Sequence, residues 1–180
     1  MESSVSAMGS PPPCRLTGLM TAGPLFALTL LAVLGTGLVA GVFFAFSSFV
    51  MRALALLPPA QGAAAMQSVN RTVLNPVFLG VFAGTALLSV AVVVLSIARG
   101  FADGGPWLLA GGVSYVAGTF VLTRVVHIPR NDTLMRVDAD SAEGAEFWAR
   151  YVPAWTRWNH VRMLASLVAC AFFVVALVNG

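Results

Sequence analysis

The stretch PVFLGVFAGTALLSVAVVVLSIA, residues 76–98, decides the fold, because it carries no ionisable group along its whole length. About 20 apolar residues are enough for a helix to cross the hydrocarbon core of a bilayer, and a proline in the first helical turn costs no hydrogen bond. Comparable runs lie at about 24–51, 107–126 and 161–178. The sequence therefore reads as all-α: a four-helix transmembrane bundle, with an interfacial helix in loop 1 and a Trp-rich helical segment leading into the fourth span. Residues 1–23, rich in Ser, Pro and Gly around Pro11-Pro12-Pro13, read as a disordered tail, and 24–180 as a single membrane domain. The first run is longer than the roughly 7–15 apolar residues of a cleaved signal peptide, so it is expected to stay as an anchor.

Composition supports this outward from the opening run. The chain has 180 residues, 58% hydrophobic and 9% charged, with a mean hydropathy of +0.88. A soluble domain carries about a quarter charged residues. The expected location is a cell membrane, multi-pass, with the lipid bilayer as the first partner. The ten basic residues are all Arg and the net charge is +3. Arg52, Arg71, Arg124, Arg130, Arg136, Arg150, Arg157 and Arg162 fall on the side of loops 1 and 3, against Arg15 and Arg99 on the other. The positive-inside rule then places those two loops in the cytoplasm and both termini outside. No basic cluster alternates with exposed aromatics in the manner of a nucleic-acid surface, so no nucleic acid is expected. Cys14 and Cys170 have no spacing that suggests metal or redox chemistry. GxSxG, P-loop and GxGxxG motifs are missing in any supporting context.

Small residues at Gly37, Gly41, Ala45 and Ser48, and again at Gly111, Ser114 and Gly118, form helical stripes suited to close packing, within the chain or in a homo-oligomer. Between the first two spans, Pro58-Pro59 stops one helix and starts another, AQGAAAMQSVNRTVLN. This is read as an interfacial segment, or as one whose Gln67 and Asn70 amides face a polar ligand. After His127 the sequence IPRNDTLMRVDADS reads as a loop, with Asp140 or Ser141 capping the next helix and Glu143 near the capping-box position.

The chemistry concentrates in FWARYVPAWTRWNHVR, residues 147–162, which holds three of the four Trp. Pro153 is expected to kink or interrupt its helix. At about 100° per residue, Trp148, Tyr151, Trp155, Asn159 and Arg162 share one face, and Arg150 and Arg157 lie opposite. One reading is an interfacial aromatic belt with snorkelling Arg. Another is a flat pocket for an aromatic ligand, since Asn159 and Arg162 carry polar heads into the fourth span, where such groups face a partner or cavity. His160 lies about 120° off that face. His127 and His160 could ligate haem or a metal, but neither has a third ligand at a metal-site spacing, so no metal site and no cofactor are expected. A single His acting as general base is the simpler use.

The pieces GVFFAFSSFVMRAL, LPPAQGAAAMQSVNRTVLNPVF, HIPRNDTL and W-x-x-Y-x-x-x-W-x-x-W-N-H-V-R together resemble the anthrone oxygenase-like (DUF1772) integral membrane family, over roughly Leu34 to Ala176. Where family members carry Asn-x-Pro-x-Asn, this chain has His127-Ile128-Pro129-Arg130-Asn131. The resemblance implies a four-helix membrane protein. It also implies a cofactor-independent monooxygenase that oxidises an anthrone, a polyketide-like aromatic, to a quinone with O2. In that chemistry His160 or His127 would remove the acidic methylene proton, and Arg162 and Asn159 would stabilise the phenolate-like oxygen. Trp148, Tyr151 and Trp155 would stack on the ring; Trp158, Asn131, Gln67 and Asn70 complete the candidate ligand-contacting set. Two other functions stay open: a non-enzymatic membrane protein that binds a lipid, quinone, small aromatic or partner subunit, and a haem or metal redox protein using His127 and His160.

Overall fold

A computed structural model of the chain describes residues 23–102 and 104–179. Apart from Gly23, the expected disordered tail lies outside the described residues, as does Cys14. Five helices follow: α1 Pro24–Ala55, α2 Pro59–Thr72, α3 Pro76–Ala98, α4 Gly105–Arg136 and α5 Ala142–Asn179. Four of them, all but α2, are long and apolar enough to cross a membrane. The protein is a multi-pass membrane protein built as a four-helix bundle. The spanning helices pack in the cyclic order α1–α3–α4–α5.

The helices outrun the apolar runs that announce them. At about 1.5 Å per residue, the 32 residues of α1 and of α4 and the 38 of α5 exceed the ~30 Å hydrocarbon core, whereas α3 barely fills it. The surplus turns gather at one end with α2 and form a head with its own core, Met51, Ala63, Met66, Leu134, Trp148, Tyr151 and Trp155. The bundle core is separate and includes Phe43, Phe82, Tyr115 and Phe173. Inside the bundle, Thr29, Thr36 and Ser89 satisfy their hydroxyls on their own helix, donating to the carbonyl four residues back.

Two local expectations are corrected, and a third, the cap of α5, is narrowed to one residue. The segment after His127 is helix to Arg136, not loop. It stays helical although Pro129 lies inside α4, directly after the π-helical turn that ends at His127. Pro153 does not interrupt α5; its ring is exposed and the helix runs on through it. Ser141 is the cap, its Oγ accepting from the Gly144 amide at 2.9 Å, so the third helical position is Gly144 rather than Glu143. The α4 stripe faces inward, with a Cβ on Gly111 lying 2.8 Å from the Phe173 ring and one on Gly118 2.6 Å from Ala165; on α1 a Cβ on Gly37 would lie 3.6 Å from Cys170 Sγ, but Gly41 and Ser48 are exposed.

The head depends on α2 lying close against its neighbours. A Cβ on Gly62 would sit 2.7 Å from the Leu54 carbonyl oxygen and 3.0 Å from the Trp148 ring. Gly62→Ala is therefore expected to lift α2 away from Trp148 and cost about 1–3 kcal/mol, the usual penalty of overpacking. A thermal unfolding scan in detergent checks it; an unchanged midpoint would show that α2 is not held this tightly.

Candidate functional site

Between the two cores lies a cavity of about 310 Å³, at the lower end of the range for small-molecule sites. Its body is aromatic. Phe43, Phe78 and Phe82 form one side, with Phe78 stacked on Phe82 at 5.8 Å and Phe43 edge-on to Phe82 at 6.3 Å. Phe46 and Trp155, 5.6 Å apart, form another. Polar groups are few: Arg162, Asn70, Asn131 and Thr123, with Arg71 and Asp132 at the exposed edge.

Three departures from α-helical geometry help to build it. α1 has a π-helical turn at Phe46–Val50, and α4 has two, Val116–Val121 and Thr123–His127. Such insertions change the angular register of every later side chain and recur at functional sites. Phe46, Ser47, Thr119, Thr123 and His127 all fall in these turns, and each lines the cavity or supports a residue that does.

Arg162 is the centre. Only 7% exposed, its guanidinium lies 3.9 Å over the Phe43 ring and 5.1 Å from the Trp155 ring. Nε donates to Asn159 Oδ1 at 2.8 Å and Nη1 to Thr123 Oγ1 at 3.3 Å. Asn159 is held in turn: its Nδ2 donates to the Phe43 carbonyl at 2.8 Å and to Ser47 Oγ at 2.7 Å. No carboxylate answers the charge. Among the described residues the one ion pair is Arg150–Glu146, on the outer surface of α5. A cation held by π faces and neutral dipoles keeps its capacity to bind an anion.

The amides around it are donors. Asn131 Oδ1 already accepts from Tyr151 Oη at 2.8 Å and from Trp155 Nε1 at 3.1 Å, which leaves its NH2 group as the free half. Asn70 is 8% exposed and its Nδ2 has no partner. A buried donor left unmade costs roughly 1–3 kcal/mol; the polar group beside this one is the Tyr151 hydroxyl. Cation and amide N–H groups together favour an acceptor-rich oxygen on an otherwise flat, apolar body.

The other sequence-selected residues divide by position. Trp148, Tyr151, Trp155, Asn159 and Arg162 are all buried, and Arg150 and Arg157 are exposed. Of those five, only Trp155 and Arg162 line the cavity. Tyr151 stands behind Asn131, and Trp148 stacks on Tyr151 at 5.7 Å. Gln67 does not reach the cavity; its Nε2 donates to the Leu134 and Val137 carbonyls, both at 2.9 Å, and ties down the end of α4. Trp158 is half-buried with its Nε1 unpartnered. Neither histidine lines the cavity. His127 is sealed behind Trp155, edge to face at 5.1 Å, with both ring nitrogens unpartnered. His160 is exposed on the outside of α5, because one residue past Asn159 turns the side chain by about 100°. The structure does not bring the two imidazoles to one site.

Sequence reasoning passed over Phe43, Ser47, Thr123 and Asp132. Asp132 had a signal, its place one residue after Asn131, but it was assigned to a loop. Phe43 and Ser47 had none, since they come from a span without any polar pattern.

The sequence profile of the family described as anthrone oxygenase matches residues 75–172, more than half of the chain. The chain belongs to the anthrone oxygenase family. Comparison with curated proteins and comparison with solved structures each return no match. The matched segment begins at the start of α3, so the anthrone oxygenase profile covers Asn131, Asp132, Trp155 and Arg162. It leaves Phe43, Phe46 and Asn70 outside.

Proposed function

We propose that the cavity binds an anthrone-type aromatic and that the chain oxidises it with O2 to the quinone. The observation that carries this reading is the buried Arg162 guanidinium without a counter-charge, set over an aromatic ring in an apolar cavity. Removing a proton from the anthrone methylene makes the ring aromatic and moves the negative charge to the oxygen across it. Arg162 and the Asn70 and Asn131 amides stabilise that oxygen as the charge develops. Asp132 is the one carboxylate among the lining residues and takes the proton, a role the sequence reading gave to a histidine. The anion transfers an electron to O2, and recombination forms a carbon–oxygen bond; protonation gives a hydroperoxide. Loss of water from it leaves the second carbonyl. One oxygen atom enters the product and the other leaves as water, so the substrate supplies all the electrons and no external reductant is needed.

The test is O2 uptake by purified protein in lipid nanodiscs with anthrone. The expected result is one O2 consumed per anthraquinone, well above the protein-free rate. Asp132→Asn should reduce turnover by about 10²–10⁴-fold, the usual range for a lost general base. His160→Ala should leave it within about twofold, because no contact joins His160 to the cavity. Binding of anthrone without O2 uptake would favour the non-catalytic reading. The protein is placed in the cell membrane with the Arg-rich head in the cytoplasm, from the asymmetry of Arg between the two sides. Labelling of single cysteines introduced at Ala142 and at Asn179 by a membrane-impermeant reagent checks this; labelling of the Ala142 site from outside intact cells would reverse it.

A further inference from the structure

We propose that the ligand enters this cavity sideways from the bilayer, through a mouth between the start of α3 and the last turns of α4. The inference rests on the reading of the cavity as an aromatic-ligand site. It concerns where that ligand comes from: a membrane-dissolved planar amphiphile with one acidic oxygen.

The seam between α3 and α4 is closed along one half only. α3 packs on α4 along Gly105–Val121 and makes no comparable packing on Thr123–Arg136. The cavity fills the gap that remains. Its exposed lining residues sort by polarity. Leu74, Leu79 and Ile128 are 68%, 42% and 38% exposed, and Val77 and Val125 beside them are 78% and 62% exposed. Val77, Leu79, Val125 and Ile128 are on spanning helices, where aliphatic side chains this exposed belong in acyl chains; Leu74 lies in the connection just before α3. The other exposed lining residues are Arg71 and Asp132. Asn75 caps α3 here, its Oδ1 accepting from the Phe78 amide at 2.9 Å, so the mouth lies where the span begins. One lip faces lipid tails and the other faces headgroups.

Routes along the bundle axis are shut. Toward the head, Met66, Trp148 and Tyr151 are packed into a buried core. Toward the opposite end, Leu108, Tyr115 and Phe173 fill the bundle. A flat molecule with an acidic oxygen rests in a bilayer at the interface, ring in the acyl region and oxygen toward water. That is the depth and orientation of this mouth, and Arg162 lies inside it as the donor to the oxygen.

The test uses two ligands and the intact protein in nanodiscs. One is 1-hydroxyanthraquinone. The other is the hexadecyl ester of 5-hydroxyanthraquinone-2-carboxylic acid, which has phenol and tail on different rings and cannot leave the bilayer. With a lateral mouth the tail trails into lipid, so the two should bind within about threefold of each other. Val77→Trp combined with Val125→Trp, beside the mouth and outside the cavity lining, should weaken the tailed ligand at least tenfold and the untailed one less than threefold. Leu164→Trp, on the lipid face of α5, should change neither. Binding of the untailed ligand alone by the unmodified protein overturns lateral entry and leaves the cavity reading standing. Binding of neither ligand overturns both. If the double variant fails to fold, the comparison on the unmodified protein decides.

Discussion

Arg162→Met is expected to lower anthrone turnover by about 10²–10³-fold, the loss seen when a single donor to a developing oxyanion is removed. The protein should still insert and fold. Methionine fills similar space between the Phe43 and Trp155 rings, and exchanging a buried charge for an apolar side chain is often neutral or stabilising. Activity and stability should therefore part company. Arg162→Lys should not rescue activity. A lysine ammonium has no planar fork to donate to Asn159 and Thr123 while lying flat on a ring. The readouts are kcat/KM for O2 uptake and the unfolding midpoint in detergent. Wild-type turnover by Arg162→Met would remove this residue from the mechanism; a collapsed midpoint would make its role structural.

Asn159→Ala should show the opposite balance, a loss of stability that carries activity with it. Asn159 makes three hydrogen bonds: those to the Phe43 carbonyl and Ser47 Oγ link α5 to α1, and the one from Arg162 Nε lies within α5. Side-chain bonds between membrane helices contribute about 0.6–1.7 kcal/mol each. Here one serves a buried cation that would be left with Thr123 alone. A loss of roughly 3 kcal/mol is expected, together with a guanidinium no longer held over Phe43. Double-mutant cycles with Ser47→Ala and Arg162→Met would apportion it. Additivity within about 0.5 kcal/mol would show that these side chains do not act as a unit.

The two variants mark the division between what a sequence reader could find and what needed the fold. The stripe Trp148, Tyr151, Trp155, Asn159 and Arg162 was legible because angular spacing on a helix survives a proline whose ring points outward, and Pro153 does point outward. The roles along that stripe were not legible. All five are buried, yet only Trp155 and Arg162 reach the cavity. Depth below the surface depends on what packs opposite, and opposite lie α1 and the end of α4. His160 drew attention by its chemistry and proved to be on the outside, while Asp132, dismissed to a loop, stands at the cavity wall. Both outcomes turn on angular register, and register in α1 and α4 is altered by π-helical turns that no local residue pattern announces.

By itself the sequence determined the membrane, the number of spanning helices and the face of α5 that turns inward. Uncharged runs of bilayer length have no other stable environment, and a helical period needs no partner to be read. Only the tertiary structure decided where the cavity lies, that the Arg162 charge has no carboxylate to answer it, and that the α3–α4 seam stands open to lipid. Those are properties of the space between helices. They follow from crossing, register and surplus length at one end of the bundle, which no single segment encodes.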